Sequence, residues 1–372
     1  MRPRLRLVAT VALFWASVFV VGYLIYWIIN RPGDRDFGSI YAAGYVGINS
    51  GWSHIYDSQF LYPIEAANHL DGFAVFPNPP PVAWMVVPLA LLPFQWAAVI
   101  WQGLLVVALV AAGLLTAPAR RWDRALILLS IFGSQPVLFA LGYGTLSPVV
   151  LLMLVATLRA MEGERFVVAG VLLGLTAIKP QLTLLVLPVL LAAGYWRTAV
   201  TAIGVMVALA LASIAVIGVS GTRDYISFLT SADVLNHPMP WTVKGIVGIG
   251  MASYIATALV VVATATVAFR FRPPPDLTLA LGILASLFVA QHLNYGDFVL
   301  WLLPVWIAFR AGRPWWLQAA AVVTWMTGWV VVVAPFVSLT AEIVFMVAVV
   351  AASAAGSAVR MEPLRRSAIE QP

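Results

Sequence analysis

LVATVALFWASVFVVGYLIYWII, residues 7–29, is a run of 23 residues without a single charged side chain. A helix needs about 20 predominantly apolar residues to cross the hydrocarbon core of a bilayer. The run is too long for the apolar region of a cleaved signal peptide and has no small-residue cleavage site, so we expect a retained first helix. The whole chain is 62% hydrophobic and 10% charged, whereas soluble domains carry about 25% charged residues. These features predict an all-α, polytopic membrane protein and exclude a soluble domain.

Apolar runs recur along the chain and predict about twelve transmembrane helices. Several of these runs are short or contain proline, and broken helices in membranes tend to line cavities, because their freed backbone groups need partners other than lipid. The predicted spans are residues 5–29, 82–117, 125–141, 146–160, 165–178, 181–193, 196–218, 246–270, 277–292, 296–310, 315–334 and 338–358.

The distribution of basic residues supports this topology. With the N-terminus in the cytoplasm, 16 of the 21 lysines and arginines fall in inner segments, as the positive-inside rule requires. The five in outer segments are Arg31, Arg35, Lys179, Arg223 and Lys244. We therefore expect a multi-pass protein of the cell (inner) membrane with both termini cytoplasmic, one domain over residues 1–358 and a tail over 359–372. The net charge of +6 then reflects topology and not a nucleic-acid partner.

Most of the chemically varied polar residues fall on the outer side of this topology. They lie in the outer segments 30–81 and 219–245, in the turn 142–145, at the Lys179 break and in the turn 291–297. The inner loops are short and mostly arginine. This asymmetry predicts an active or binding site on the extracytoplasmic face.

The segment 30–81 opens with two carboxylates, Asp34 and Asp36, directly after the first span. A carboxylate in this place can act as a general base on a sugar hydroxyl. Alternatively, both are solvated loop residues paired with Arg31 or Arg35. Apolar residues over 41–48 predict a short amphipathic helix lying on the membrane.

Three further positions carry candidate chemistry. Lys179 can extend harmlessly to the lipid headgroups or hold a phosphate as a point charge, and the adjacent Pro180 and Gln181 favour a cavity. His292, with Asp297 five residues on, can bind phosphate or share a proton; the alternative is a polar turn between helices. By spacing alone, the turn around Tyr143 is mostly structural.

The sequence also excludes several kinds of site. It contains no cysteine, which rules out disulfides and thiolate chemistry. It has no phosphate-binding glycine loop and no zinc-protease motif, and no dense carboxylate cluster suggests a metal, so we expect no cofactor. The inner loops are too short for a nucleotide-binding domain. A sugar donor would therefore have to be presented from the membrane.

Taken in order, these segments resemble glycosyltransferase family 87 of the GT-C superfamily. The resemblance covers about residues 5–310 and departs at Tyr143, where relatives commonly have glutamine. It rests on Asp36-Phe37-x-x-Ile40-Tyr41-Ala42-Ala43-Gly44, Ile55-Tyr56-Asp57, Phe76-Pro77-Asn78-Pro79-Pro80, Gly142-Tyr143-Gly144-Thr145-Leu146, Gly170-x-x-x-Gly174-x-x-x-Ile178-Lys179-Pro180, and His292 followed by Tyr295-Gly296-Asp297 and Leu300-x-x-Leu303-Pro304.

The resemblance implies an inverting transfer of a hexose, mannose before other sugars, from a polyprenyl phosphate to a hydroxyl of a lipid-linked or cell-envelope glycan. The family's catalytic carboxylate corresponds to Asp36. The expected donor-phosphate ligands are Lys179, His292, Arg223 and Lys244, and the expected substrate-binding residues are Tyr41, Tyr143, Gln181, Tyr295 and Asp297. The expected partners are this donor, a glycolipid or glycan acceptor and membrane lipids.

A multi-pass lipid or solute transporter is the alternative from another functional class. Such a protein should bury ionisable residues near the middle of the membrane. Here the centres of the predicted spans are nearly free of charge, and the one exception, Glu342, falls near the outer end of the last span. A purely structural scaffold would leave the polar segment 30–81 unexplained.

Overall fold

The computed structural model describes residues 3–30, 36–70, 75–117, 121–231, 239–290 and 292–369, and every regular element in these ranges is a helix. The all-α prediction is confirmed. The helices are α1 (Pro3–Asn30), α2 (Asp36–Asn49), α3 (Ser58–Ala67), α4 (Pro80–Met85), α5 (Val87–Ala90), α6 (Phe94–Thr116), α7 (Arg121–Phe132), α8 (Gln135–Tyr143), α9 (Ser147–Glu162), α10 (Phe166–Leu175), α11 (Val186–Ala193), α12 (Trp196–Leu229), α13 (Val243–Val247), α14 (Met251–Phe271), α15 (Pro275–Val289), α16 (Leu302–Ala308), α17 (Trp315–Thr327) and α18 (Pro335–Ile369). Short 3₁₀ helices cover Trp52–His54, Thr176–Ile178, Pro180–Leu182 and Tyr295–Trp301.

Four of the described helices are long and apolar enough to cross a membrane: α6, α12, α14 and the Pro335–Gly356 part of α18. The helix pair α7–α8 makes a fifth candidate, bent by 58° at its break. The protein is therefore a membrane protein, and its described residues contain four to five candidate spans. The twelve-span count and the GT-C arrangement are not confirmed and stay predictions.

Proline explains why predicted spans appear as shorter helices. Residues 82–117 were expected to form one span but divide into α4, α5 and α6, with Pro88 in the first turn of α5 and Pro93 capping α6. Proline lacks the backbone N–H that a continuous helix needs and clashes with the preceding turn. The break predicted at Lys179 is confirmed, because 3₁₀ helices flank it and Pro180 begins the second one.

Two predicted boundaries differ from the structure. The segment 219–245 was expected to be a loop, but α12 continues to Leu229 beyond a kink at Gly218, where φ is +70°. Residues 232–238 lie outside the described residues, and α13 begins at Val243. The predicted tail is the direct continuation of α18, which stays helical to Ile369. Apolar periodicity stops at both places, but the backbone hydrogen-bond ladder of a helix does not require apolar side chains.

Close helix packing accounts for the spacing of Gly170 and Gly174. A β-carbon on Gly170 would lie 2.5 Å from Cβ of Thr201, and one on Gly174 would lie 2.5 Å from Cβ of Val205. These two glycines therefore let α10 approach α12 closely, as small residues four apart do between membrane helices. In the motif that runs from Gly170 to Pro180, the two glycines therefore have a role in helix packing.

The helix α15 lies at the centre of the fold, since every residue from Asp276 to Phe288 is buried. The 3₁₀ helix Tyr295–Trp301 follows it and lies against α8. Gly296 permits this contact, because a β-carbon there would come within 2.9 Å of the Ala140 backbone. The 3₁₀ helix thereby carries Asp297 into the interior.

Candidate active site

Lys179 and Asp297 form a buried ion pair. The Lys179 ammonium lies 2.5 Å from Oδ1 of Asp297, and the two side chains are 7% and 1% exposed. The hydroxyl of Ser147, the first residue of α9, donates to the same carboxylate oxygen and accepts from Lys179 Nζ at 3.3 Å. Three elements distant in sequence are thereby joined at one carboxylate.

Asn294 connects this pair to Asp36. The backbone N–H of Asn294 donates to Oδ2 of Asp297 at 2.8 Å, while the Asn294 side chain accepts from the Asp297 backbone. This reciprocal arrangement is a capping box, which satisfies two backbone donors at a helix start. The amide nitrogen of Asn294 also lies 3.5 Å from Oδ2 of Asp36. We call these five residues, Asp36, Ser147, Lys179, Asn294 and Asp297, the polar centre.

Asp36 is the half-buried first residue of α2. The next residue, Phe37, is fully buried and stacks on Trp101 with ring centroids 5.3 Å apart. The Trp101 indole donates to the carbonyl of Gly144 at 2.9 Å. Asp36 is therefore fixed at its position by packing against the turn that follows α8.

An aromatic wall lies beside the polar centre. Its members are Phe139, Tyr143, Trp241 and Tyr295. The Tyr295 ring lies 4.5 Å from that of Trp241 and 5.2 Å from that of Phe139, and Phe139 contacts Tyr143 at 5.8 Å. The Trp241 indole donates to the carbonyl of Leu293 at 3.0 Å. Because Tyr143 and Tyr295 are only half-buried, their rings remain accessible to a flat ligand.

His292 is an exposed residue between α15 and the 3₁₀ helix Tyr295–Trp301, outside the candidate spans. Neighbouring protein atoms nevertheless remove part of the ring's hydration and thereby lower the pKa of His292; the Asp297 carboxylate raises this pKa and the Lys179 ammonium lowers it. The net effect favours a neutral imidazole. His292 is therefore coupled electrostatically to the buried ion pair.

The other predicted site residues lie in different surroundings. Tyr41 is buried on α2, and its hydroxyl donates to the carbonyl of Leu92 at 2.8 Å, so that it supports the core beneath the centre. Gln181 is half-buried on the 3₁₀ helix after Lys179. Arg223 is exposed on α12 beyond the kink, and Lys244 is half-buried on α13. The structure thus joins Asp36, Lys179 and Asp297, with Tyr143, Tyr295 and His292 nearby.

Two residues of the polar centre, Asn294 and Ser147, were not predicted from the sequence. The spacing of Asn294 and Asp297 is that of a capping box, with an acidic residue three positions after the cap. That spacing was a usable signal for Asn294. For Ser147 the sequence offers none, because its partners Lys179 and Asp297 are far away along the chain.

Two other features do not belong to the site. In the part of the chain that the structure describes, no three histidine or acidic side chains come together as metal ligands. A groove of about 650 Å³ runs between α17 and α18, but no charged side chain lines it. The polar centre is therefore the candidate active site.

Comparison with known families gives one match. The model of glycosyltransferase family 87 matches residues 76–289, more than half of the chain. The chain belongs to glycosyltransferase family 87. No curated protein and no solved structure matches it.

Membership of family 87 makes this chain a membrane glycosyltransferase, which transfers a sugar from a donor to an acceptor. The matched range includes Tyr143, Ser147 and Lys179. Asp36 and Asn294 lie outside the matched range, so the match itself assigns them no role.

Proposed function

We propose that this family 87 protein transfers a hexose, in the first place mannose, from a polyprenyl phosphate to a hydroxyl of a lipid-linked or cell-envelope glycan. Transfer takes place at the outer face of the cell membrane and inverts the anomeric carbon. The observation that carries the proposal is the position of Asp36. It is a half-buried carboxylate at a helix N-terminus, next to a charge-neutral buried pair and an aromatic wall.

In this reaction the Asp36 carboxylate removes the proton of the acceptor hydroxyl as its oxygen attacks the anomeric carbon. The bond from that carbon to the phosphate oxygen breaks, and polyprenyl phosphate leaves with the bonding electrons. The proton ends on Asp36. General base catalysis requires a group within hydrogen-bond reach of the hydroxyl, and partial exposure of Asp36 allows such an approach.

The donor phosphate needs positive charge or N–H donors nearby. His292 is well suited, because its neutral imidazole lies beside the centre and offers an N–H. Arg223 and Lys244 remain candidates for the phosphate if substrate draws their segments closer. The Lys179 ammonium already contacts Asp297 and Ser147. We therefore propose that it mainly holds Asp297 in place and attracts the donor phosphate less strongly than an unpaired lysine would.

Tyr143 and Tyr295 supply accessible faces of the aromatic wall. Aromatic rings offer apolar surface with a polar hydroxyl at one end, and the sugar rings of donor and acceptor present matching apolar faces. We propose that these two tyrosines hold a sugar ring against Asp36.

The test uses purified wild-type protein with polyprenyl phosphates carrying mannose, glucose, galactose or a pentose, and octyl α-mannoside as acceptor. We expect transfer from one donor, and we expect Asp36→Asn to lower the rate by at least about a hundredfold, as loss of a general base does. Asp57→Asn is the matched control. Asp57 belongs to the same segment and caps α3, and asparagine caps a helix equally well. Full activity of Asp36→Asn would refute the proposal.

A further inference from the structure

Asn294 links Asp36 to the buried ion pair of Lys179 and Asp297. Its side-chain nitrogen faces Oδ2 of Asp36, while its side-chain oxygen and backbone N–H are both engaged with Asp297. We propose that Asn294 is a positioning residue for the base: by holding Oδ2 of Asp36 it fixes the orientation of the carboxylate toward the acceptor hydroxyl. The inference rests on the proposed role of Asp36.

Asn294 is held rigidly in its position. Its capping box ties it to Asp297, which is 1% exposed. Asp297 is fixed in turn by Lys179 from the break after α10 and by Ser147 from the start of α9. An amide held from both its oxygen and its backbone loses little conformational entropy when it engages Asp36. A continuous chain of contacts therefore runs from a buried ion pair to a half-buried carboxylate.

The side chain of Asn294 is an amide and carries no charge. An arginine or lysine at this place would put a full positive charge beside Asp36, which weakens a carboxylate as a base more than a neutral amide donor does. An amide N–H orients the carboxylate without adding a charge. Lys179 and Asp297 form an ion pair without net charge, and His292 interacts electrostatically with both.

The contact between the Asn294 amide nitrogen and the Asp36 carboxylate is long. At 3.5 Å the contact is longer than the usual 2.9–3.0 Å of an N–H···O bond. Catalytic hydrogen bonds are often long without substrate and shorten when it binds. We therefore expect the contact to matter most for the rate of the chemical step and least for binding of the donor.

A purely structural role for Asn294 makes a different prediction. If this side chain only caps the 3₁₀ helix, any good cap should replace it. Serine accepts a backbone N–H at a cap as well as asparagine does, but it is too short to reach Asp36. Asn294→Ser therefore separates capping from positioning, and Asn294→Ala removes both.

The experiment measures transfer from the accepted polyprenyl-phosphate sugar to octyl α-mannoside by wild type, Asn294→Ser, Asn294→Ala and Asn294→Asp. We expect Asn294→Ser to lower kcat about tenfold, the scale of one hydrogen bond to a charged group, with the KM for the donor unchanged and wild-type thermal stability. Asn294→Asp keeps the cap but places a second carboxylate beside Asp36. Its kcat should fall further, and the acidic limb of its kcat–pH profile should move to higher pH.

The outcomes separate this inference from the proposed function. If Asp36→Asn is inactive but Asn294→Ser retains wild-type kcat, the positioning role is refuted and the base assignment stands. An unmoved acidic limb in Asn294→Asp would also refute positioning. If the wild type transfers no sugar from any donor, or Asp36→Asn is fully active, the proposed function fails and the inference fails with it.

Discussion

At the scale of single residues, the buried Lys179–Asp297 pair changes the interpretation of both side chains. The sequence suggested a phosphate-binding lysine and a substrate-binding aspartate near the membrane surface, and those roles stay predictions. In the structure Lys179 and Asp297 are each other's partners. The Lys179 ammonium lies 2.5 Å from Oδ1 of Asp297, and both side chains are almost fully buried. Two charges removed from water are tolerated when they are paired and hydrogen-bonded, whereas removal of one partner leaves an uncompensated buried charge.

A pair of substitutions tests this coupling. Lys179→Met should destabilise the protein by about 3–5 kcal/mol, because Asp297 is left charged and buried. The double variant Lys179→Met with Asp297→Asn should recover most of that loss, because asparagine carries no charge. Its single side-chain oxygen can still accept from the Asn294 backbone N–H, and its NH2 can donate to the Ser147 hydroxyl. Thermal unfolding in detergent measures both. A double variant no more stable than the single one would contradict the coupling.

At the scale of helices and turns, the turn after α8 controls how closely α2 approaches. Gly144 has a φ of +71° and ends α8, and a β-carbon on it would lie 2.7 Å from Cβ of Phe37. Gly194 ends α11 with a φ of +96°, and nothing lies within 4 Å of the same position. The two glycines share a left-handed backbone but differ in their surroundings, which makes them a matched pair.

Gly194→Ala should therefore cost only the left-handed strain of about 1–2 kcal/mol and leave sugar transfer unchanged. Gly144→Ala should cost more, because overpacking adds about 1–3 kcal/mol. It should also slow transfer, since Phe37 can yield only by moving Asp36. Thermal unfolding and transfer rates of the two variants provide the comparison. Equal losses of stability, or full transfer activity in Gly144→Ala, would show that the contact with Phe37 is unimportant.

These elements also show what sequence reasoning could and could not reach. The turn at Gly144, the break at Pro180 and the helix after Asp36 were predicted, because glycine, proline and apolar spacing act locally. The division of residues 82–117 was not predicted, since proline can kink or end a helix and only packing decides which. The contacts of Ser147 and Asn294 depend on segments up to 258 residues apart, which no local pattern encodes.

At the scale of the whole molecule, burial of ionisable groups bears on the choice between an enzyme and a transporter. The sequence predicted that a transporter would bury such groups, and the structure does bury Lys179, Asp297 and Glu342. Glu342 accepts from the Trp301 indole at 3.0 Å, and its second oxygen has no hydrogen-bond partner among the described residues. The burial of ionisable residues alone is therefore compatible with either a transporter or an enzyme. The family match decides for a glycosyltransferase, because it covers most of the chain and includes Lys179.

The proposed mechanism finally requires Asp36 to face the outside of the cell, and the absence of cysteine makes this testable. Ser50 is exposed just beyond α2, and Gly163 is exposed at the end of α9, in a segment that the arginine distribution assigns to the cytoplasm. Ser50→Cys in otherwise unchanged protein should react with a membrane-impermeant maleimide in intact cells. Gly163→Cys should react only after the membrane is permeabilised, because its thiol then lies behind the bilayer. Labelling of both from the same side would overturn the topology, and with it the presentation of a lipid-linked donor to Asp36 from the outer leaflet.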